Sequence, residues 1–148
     1  MAKMNLGAVA FDAGEHEVAV RLWIDVLEHH RARGTSEGEG IALLNLGLAA
    51  YRLGQTDDAR KRFTEAEALF DAIGFREHVA HALQGIAATE AAVDRYREAA
   101  RLLGRAAALL EETGSGASTF DPSLALEVEA IVREQLGERE FASAFSGS

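Results

Sequence analysis

Apolar residues return along this chain at spacings of three and four, the signature of a helix with one buried stripe. The clearest case pairs Ile41, Leu44, Leu48 and Tyr51 with a following run of Ala59, Phe63, Ala66, Leu69 and Phe70. Gly54 separates the two runs and Gly74 closes the second. The same arrangement precedes it, with Leu6, Gly7, Phe11, Gly14, Ala19, Trp23 and Val26 closed by Gly34. It follows again with Ile86, Ala87, Ala99, Leu103 and Ala106, closed by Gly114. Gly34, Gly74 and Gly114 therefore stand forty residues apart, and each is the residue type that ends a helix in the left-handed conformation without strain. Asp94 takes the slot that Gly14 and Gly54 hold in the earlier copies.

Six helices follow from this, over roughly 2–13, 15–33, 36–53, 56–73, 76–93 and 94–113. Ser36 or Thr35 is the expected cap of the third and Asp57 or Thr56 of the fourth. The period then breaks. Residues 115–121 read as a linker from their glycine, serine and threonine content. Asp121 and Pro122 form a start signal, cap followed by proline at the first helical position, for a helix to about Leu136. Gly137 breaks it, and a last short helix is expected from Glu138 to Phe145. Val128, Ile131, Val132, Leu136, Phe141 and Phe145 would seal the exposed end of the stack over residues 122–148. The expected fold is all-α: a right-handed solenoid of three helical hairpins (1–34, 35–74 and 75–114) plus C-terminal capping helices.

Composition agrees. Hydrophobic residues make up 48% of 148, there is one proline, and alanine, leucine, glutamate and arginine dominate. A net charge of −9 argues against phosphate neutralisation, so direct nucleic-acid binding is not expected. Arg52, Arg60, Lys61 and Arg62 are close in sequence, but Asp57, Asp58, Glu65 and Glu67 interleave with them as on a solvated helix face. Cysteine is absent, which removes disulfides and thiolate chemistry and fits a reducing compartment. The N-terminus does not read as a signal peptide and no apolar run approaches a membrane span, so a cytoplasmic protein is expected.

The ladder of small residues resembles the tetratricopeptide repeat. In that reading Gly47 lets the two helices of a hairpin approach, Ala59 and Ala66 let the next helix dock, and Phe63 fills the gap between hairpins. The third copy departs, with Gly85 displaced by two positions. The usual period is about 34 residues. The forty-residue step, closed by glycine, resembles the C-terminal repeats of bacterial maltose-activator-like and LuxR-type ATPase regulators. No phosphate-binding loop and no helix-turn-helix accompanies it, so a detached repeat module is expected.

The resemblance implies a non-catalytic scaffold that holds a protein or peptide on a concave face lined by the first helix of each hairpin. Carried over position by position, that face would show Met4, Ala8, Phe11 and Asp12, then Leu44, Asn45, Leu48, Tyr51 and Arg52, then His81, Gln84, Ala88 and Ala91. The predicted partner-binding set is Phe11, Asp12, Asn45, Leu48, Tyr51, Arg52, His81, Gln84 and Ala88. The carboxylate clamp of chaperone adaptors is missing: of Met4, Ala8, Asn45, His81 and Gly85 only Asn45 fits. Trp23 is expected in the core. His78 and His81 share a helix face, yet no third metal ligand has recognisable spacing, and no metal or cofactor is expected. No nucleophile lies in a recognisable catalytic setting. The alternatives are self-association through an uncovered first hairpin (Met4, Val9, Val20, Ile24, Leu27) and small-molecule sensing.

Overall fold

A computed structural model describes residues 2–114 and 121–147. Among them are eight α-helices and no strand: α1 (Ala2–Asp12), α2 (His16–Arg33), α3 (Ser36–Arg52), α4 (Thr56–Ile73), α5 (Arg76–Ala92), α6 (Tyr96–Thr113), α7 (Pro122–Leu136) and α8 (Glu138–Ser146). Successive helices pack against each other from α1 to α6, and α3 also touches α5, as in a stack of hairpins. Most of the expected linker lies outside the described residues.

The second hairpin is tied to the third by one large side chain lodged against glycine. Phe63 of α4 is fully buried between two glycines. A Cβ on Gly47 would lie 2.7 Å from its ring, and a Cβ on Gly85 would lie 2.4 Å from it. The displaced glycine of the third copy thus has a cause: it receives the phenylalanine of the preceding hairpin, while Gly47 receives it from its own. Trp23, only 2% exposed, fills the corresponding place in the first hairpin, against Gly7. Burial of such aromatic side chains and of the alanine ladder (Ala19, Ala59, Ala66, Ala99 and Ala106, all fully buried) supplies the hydrophobic drive for stacking.

The second helices end as the glycines predict, with Gly34, Gly74 and Gly114 at φ between 68° and 78°. Asp94 does the same work with a side chain, at φ 64°, in a region that aspartate tolerates better than most residues. Its carboxylate accepts a hydrogen bond from the Tyr96 hydroxyl at 2.7 Å. The expected helix caps are corrected. Thr35 stands at the cap of α3, but its Oγ1 is engaged with Nδ1 and the carbonyl of His30 and makes no cap bond. The cap residue of α4 is Gln55, and Asp57 lies inside the first turn. Asp121 caps α7 as expected, accepting from the Ser123 N–H at 3.0 Å.

The C-terminal helices do not continue the repeat. α8 lies mainly on α6, and its approach depends on Gly104, where a Cβ would sit 1.8 Å from the Phe145 carbonyl oxygen. Earlier copies carry Ile24 and Thr64 at that position. α7 packs on α5, α6 and α8 and buries Leu124, Val128 and Val132 completely. A spacing of four selects these three as one stripe. Ile131 falls off that stripe and is 41% exposed, so Leu124 takes the sealing role expected of it. Among the described residues no helix is long and apolar enough to cross a membrane.

Candidate partner-binding groove

Five of the nine predicted site residues converge. Phe11 and Asp12 from α1 and Asn45, Leu48 and Arg52 from α3 line one open cavity of about 390 Å³. Ala8, Trp23, Asp121 and Ser123 complete its wall. Phe11 is half-buried and held in place, its ring centroid 5.7 Å from that of Trp23 and 4.5 Å from that of His16. Leu48 is nearly buried and forms floor, whereas Asp12 is exposed on the rim. The helical spacing of Ala8 to Asp12 and of Leu48 to Arg52 places each pair on one face of its helix.

Arg52 closes one end of the cavity. Its guanidinium donates to both carboxylate oxygens of Glu127, at 2.6 and 3.2 Å, and lies 3.6 Å from the Asp121 carboxylate. The Glu127 hydrogen bond raises its pKa above the ordinary arginine value, so the charge is permanent. It also lies 5.7 Å from the centroid of the Tyr51 ring. Tyr51 is half-buried, and burial, opposed by the Arg52 charge, raises its pKa, so its hydroxyl stays protonated.

His81, Gln84 and Ala88 are placed differently. All three lie on α5 and are 3%, 8% and 0% exposed. Ala91, on the same face, is likewise buried. These residues present no open surface, and α7 packs on α5. Burial, with a smaller contribution from the neighbouring His78, pushes His81 down to about 4, so it is a neutral imidazole near pH 7. The ring of His78 in turn stands between Phe70 and Phe75, at centroid distances of 4.8 and 5.9 Å. Among the described residues no group of three or more histidines and carboxylates is arranged to hold a metal ion.

The cations grouped in the sequence are dispersed in space. Arg52 reaches α7, and Arg60 bonds the buried Glu90 at 2.6 Å. Lys61 and Arg62 line a separate cleft of about 590 Å³ beside Asp58 and Glu65, over a floor that includes Val20, Ile24, Leu46 and Ala50. Val20 and Ile24 are therefore half-buried cleft residues, and Leu27 is 2% exposed, which removes it from the expected open face of the first hairpin. Among the described residues Glu90 is the one acid deep in the stack, where the earlier copies carry Ala10 and Ala50. The forty-residue register marks it as odd, but not what it pairs with. Asp121 and Ser123 could not be placed in the groove from the repeat, since their segment is not repeated.

The sequence profile of the tetratricopeptide repeat family matches residues 1–72 and, overlapping, 42–112. No curated protein shows a significant match.

Proposed function

The chain belongs to the tetratricopeptide repeat family, a class of non-catalytic protein-interaction scaffolds, and from that premise we propose that it holds a protein or peptide partner in the groove between α1 and α3. The observation that carries this reading is the convergence of Phe11, Asp12, Asn45, Leu48 and Arg52 on one open cavity with an apolar floor. Tyr51 supports Arg52 from behind. His81, Gln84 and Ala88 act through packing and not through contact with the partner. The glycine-closed, forty-residue step further supports a place in a cytoplasmic bacterial signalling or transcriptional regulator, as its interaction arm.

Site-specific photocrosslinking tests the groove in the cells that make the protein. A photoreactive residue in place of Ala8 or Asn45 is expected to give a discrete adduct, and one at the exposed Ala68 of α4 none. Equal adducts from Ala68 would sink the assignment. Self-association remains a second reading because Leu6 and Val9 are 55% and 66% exposed on α1. Light scattering of the wild type and Val9→Glu decides it: a concentration-dependent dimer that the variant abolishes supports it, and a monomer throughout removes it.

A further inference from the structure

We propose that the groove between α1 and α3 selects a basic, apolar segment: a short stretch of partner chain that inserts an apolar side chain and places a lysine or arginine beside Asp12. This names the partner class of the groove described above and rests on that reading.

The floor supplies the apolar half of the argument. Phe11, Trp23 and Leu48 are the large apolar side chains of a cavity of about 390 Å³, room for side chains and not for a folded domain. The charge comes from what the rim has left over. Arg52, the cation in the wall, is already consumed by Glu127 and Asp121 of α7. An incoming carboxylate would have to displace a two-toothed intramolecular pair in order to use it. Asp12 forms no ion pair among the described residues. It ends α1, where the carbonyl end of the helix is itself negative and no basic residue stands in the last turn. Glu37, also without an ion pair among the described residues, lies on the Ile41–Leu44–Leu48 face of α3. The uncompensated charge along this side is thus of one sign, and the chain as a whole carries −9. A cation entering beside Asp12 meets a free carboxylate, a helix C-terminus and a favourable long-range field.

The chain contains a single tryptophan, and it lines this cavity. Its emission therefore reports occupancy directly. Three synthetic amphipathic peptides with leucines at identical positions, and lysine, glutamine or glutamate between them, serve as probes in a fluorescence titration of the full chain. The lysine peptide is expected to shift Trp23 emission and to bind at least about tenfold tighter than the glutamate peptide at low salt, with the gap closing as salt rises. Asp12→Asn is expected to weaken the lysine peptide about two- to fivefold, as for a partly exposed ion pair, and to leave the glutamine peptide unchanged. Asp12 is exposed, and an unaltered melting curve for the variant shows that the loss is not one of folding. Binding of the glutamine or glutamate peptide as tight as the lysine peptide, or an Asp12→Asn variant with no loss, would overturn the basic specificity while leaving the groove in place. A flat Trp23 response to all three peptides would overturn the groove as well.

Discussion

The side of the molecule built from α1, α3 and α5 is one surface by repeat and two by structure. Ala8, Leu48 and Ala88 occupy the same repeat position, yet Ala8 is exposed, Leu48 is 6% exposed and Ala88 is fully buried. The first two hairpins leave a groove between α1 and α3. Over the third, the non-repeating α7 is packed on α5, its Leu124, Val128 and Val132 sunk into the common core. A forty-residue period fixes what each position is bonded to within its hairpin. It does not fix what a later segment lays over it. Burial deepens from the first hairpin to the third along this side, and over α5 the segment that breaks the period packs on top.

Charge insertion tests this division most severely. Val128→Asp would bury an unpaired carboxylate at a site with no exposure, at a cost of roughly 3–5 kcal/mol, enough to undock α7 or unfold the third hairpin. Ala8→Asp on the exposed face of α1 should cost only about 1 kcal/mol, from lower helix propensity and the like charge of Asp12 one turn on. Denaturant unfolding of the two variants side by side measures the contrast, and equal losses would mean that the two halves are not distinct.

Protonation probes the covered half without a mutation. His81 has its folded-state pKa lowered to about 4, against an ordinary value near 6.5. Between those values the unfolded chain binds the proton and the folded chain does not. The contribution is therefore complete above about pH 6.5 and is lost as pH falls toward 4, by roughly 2–4 kcal/mol if burial is the dominant cause. The uncovered half has no counterpart, since the repeat position of His81 holds Ile41 in the second hairpin. Unfolding measured across this window should lose its slope in His81→Gln, and NMR should show a neutral His81 ring at pH 5.5. A ring already protonated there would contradict its burial.

Glycine contacts separate what could be read in the sequence from what could not. Gly47 lies at a position where the repeat demands close helix approach, so its smallness was legible, whereas its contact with Phe63 of the same hairpin was not. Gly85 looked like a fault in the third copy, because a repeat alignment compares a residue with its counterparts and not with its neighbours in space. Its counterpart is Asn45, at the edge of the open groove; its neighbour is the Phe63 ring. Gly104 was unreadable for the same reason, since only a docked α8 explains it. The helices and the alanine ladder followed from local propensity and periodicity. The placement of α7 did not, because one uncopied segment offers no second instance to compare. Gly85→Ala should thus destabilise by about 1–2 kcal/mol, overpacking against a ring that cannot move outweighing the ~1 kcal/mol gain in helix propensity. Thermal melts of the variant beside the wild type check the sign as well as the size.

The boundary between the halves is Arg52, and its coupling is the smallest effect and the most discriminating. The guanidinium is one-quarter exposed and Glu127 nearly one-half, so solvent screens the pair and a double-mutant cycle of Arg52→Ala with Glu127→Gln should return only about 0.5–1 kcal/mol. What matters is where that energy is felt. Glu127 belongs to α7 and Arg52 to the open groove, so breaking the pair frees a cation at the wall of the cavity. Glu127→Gln should therefore weaken a lysine-bearing peptide and strengthen a glutamate-bearing one, each by a few-fold, with little change in stability. Arg52→Ala removes the cation altogether and should strengthen the lysine peptide. Opposite shifts from the two members of one ion pair would show that α7 sets the charge of the groove as well as its length. Shifts in the same direction would mean that α7 only caps the stack.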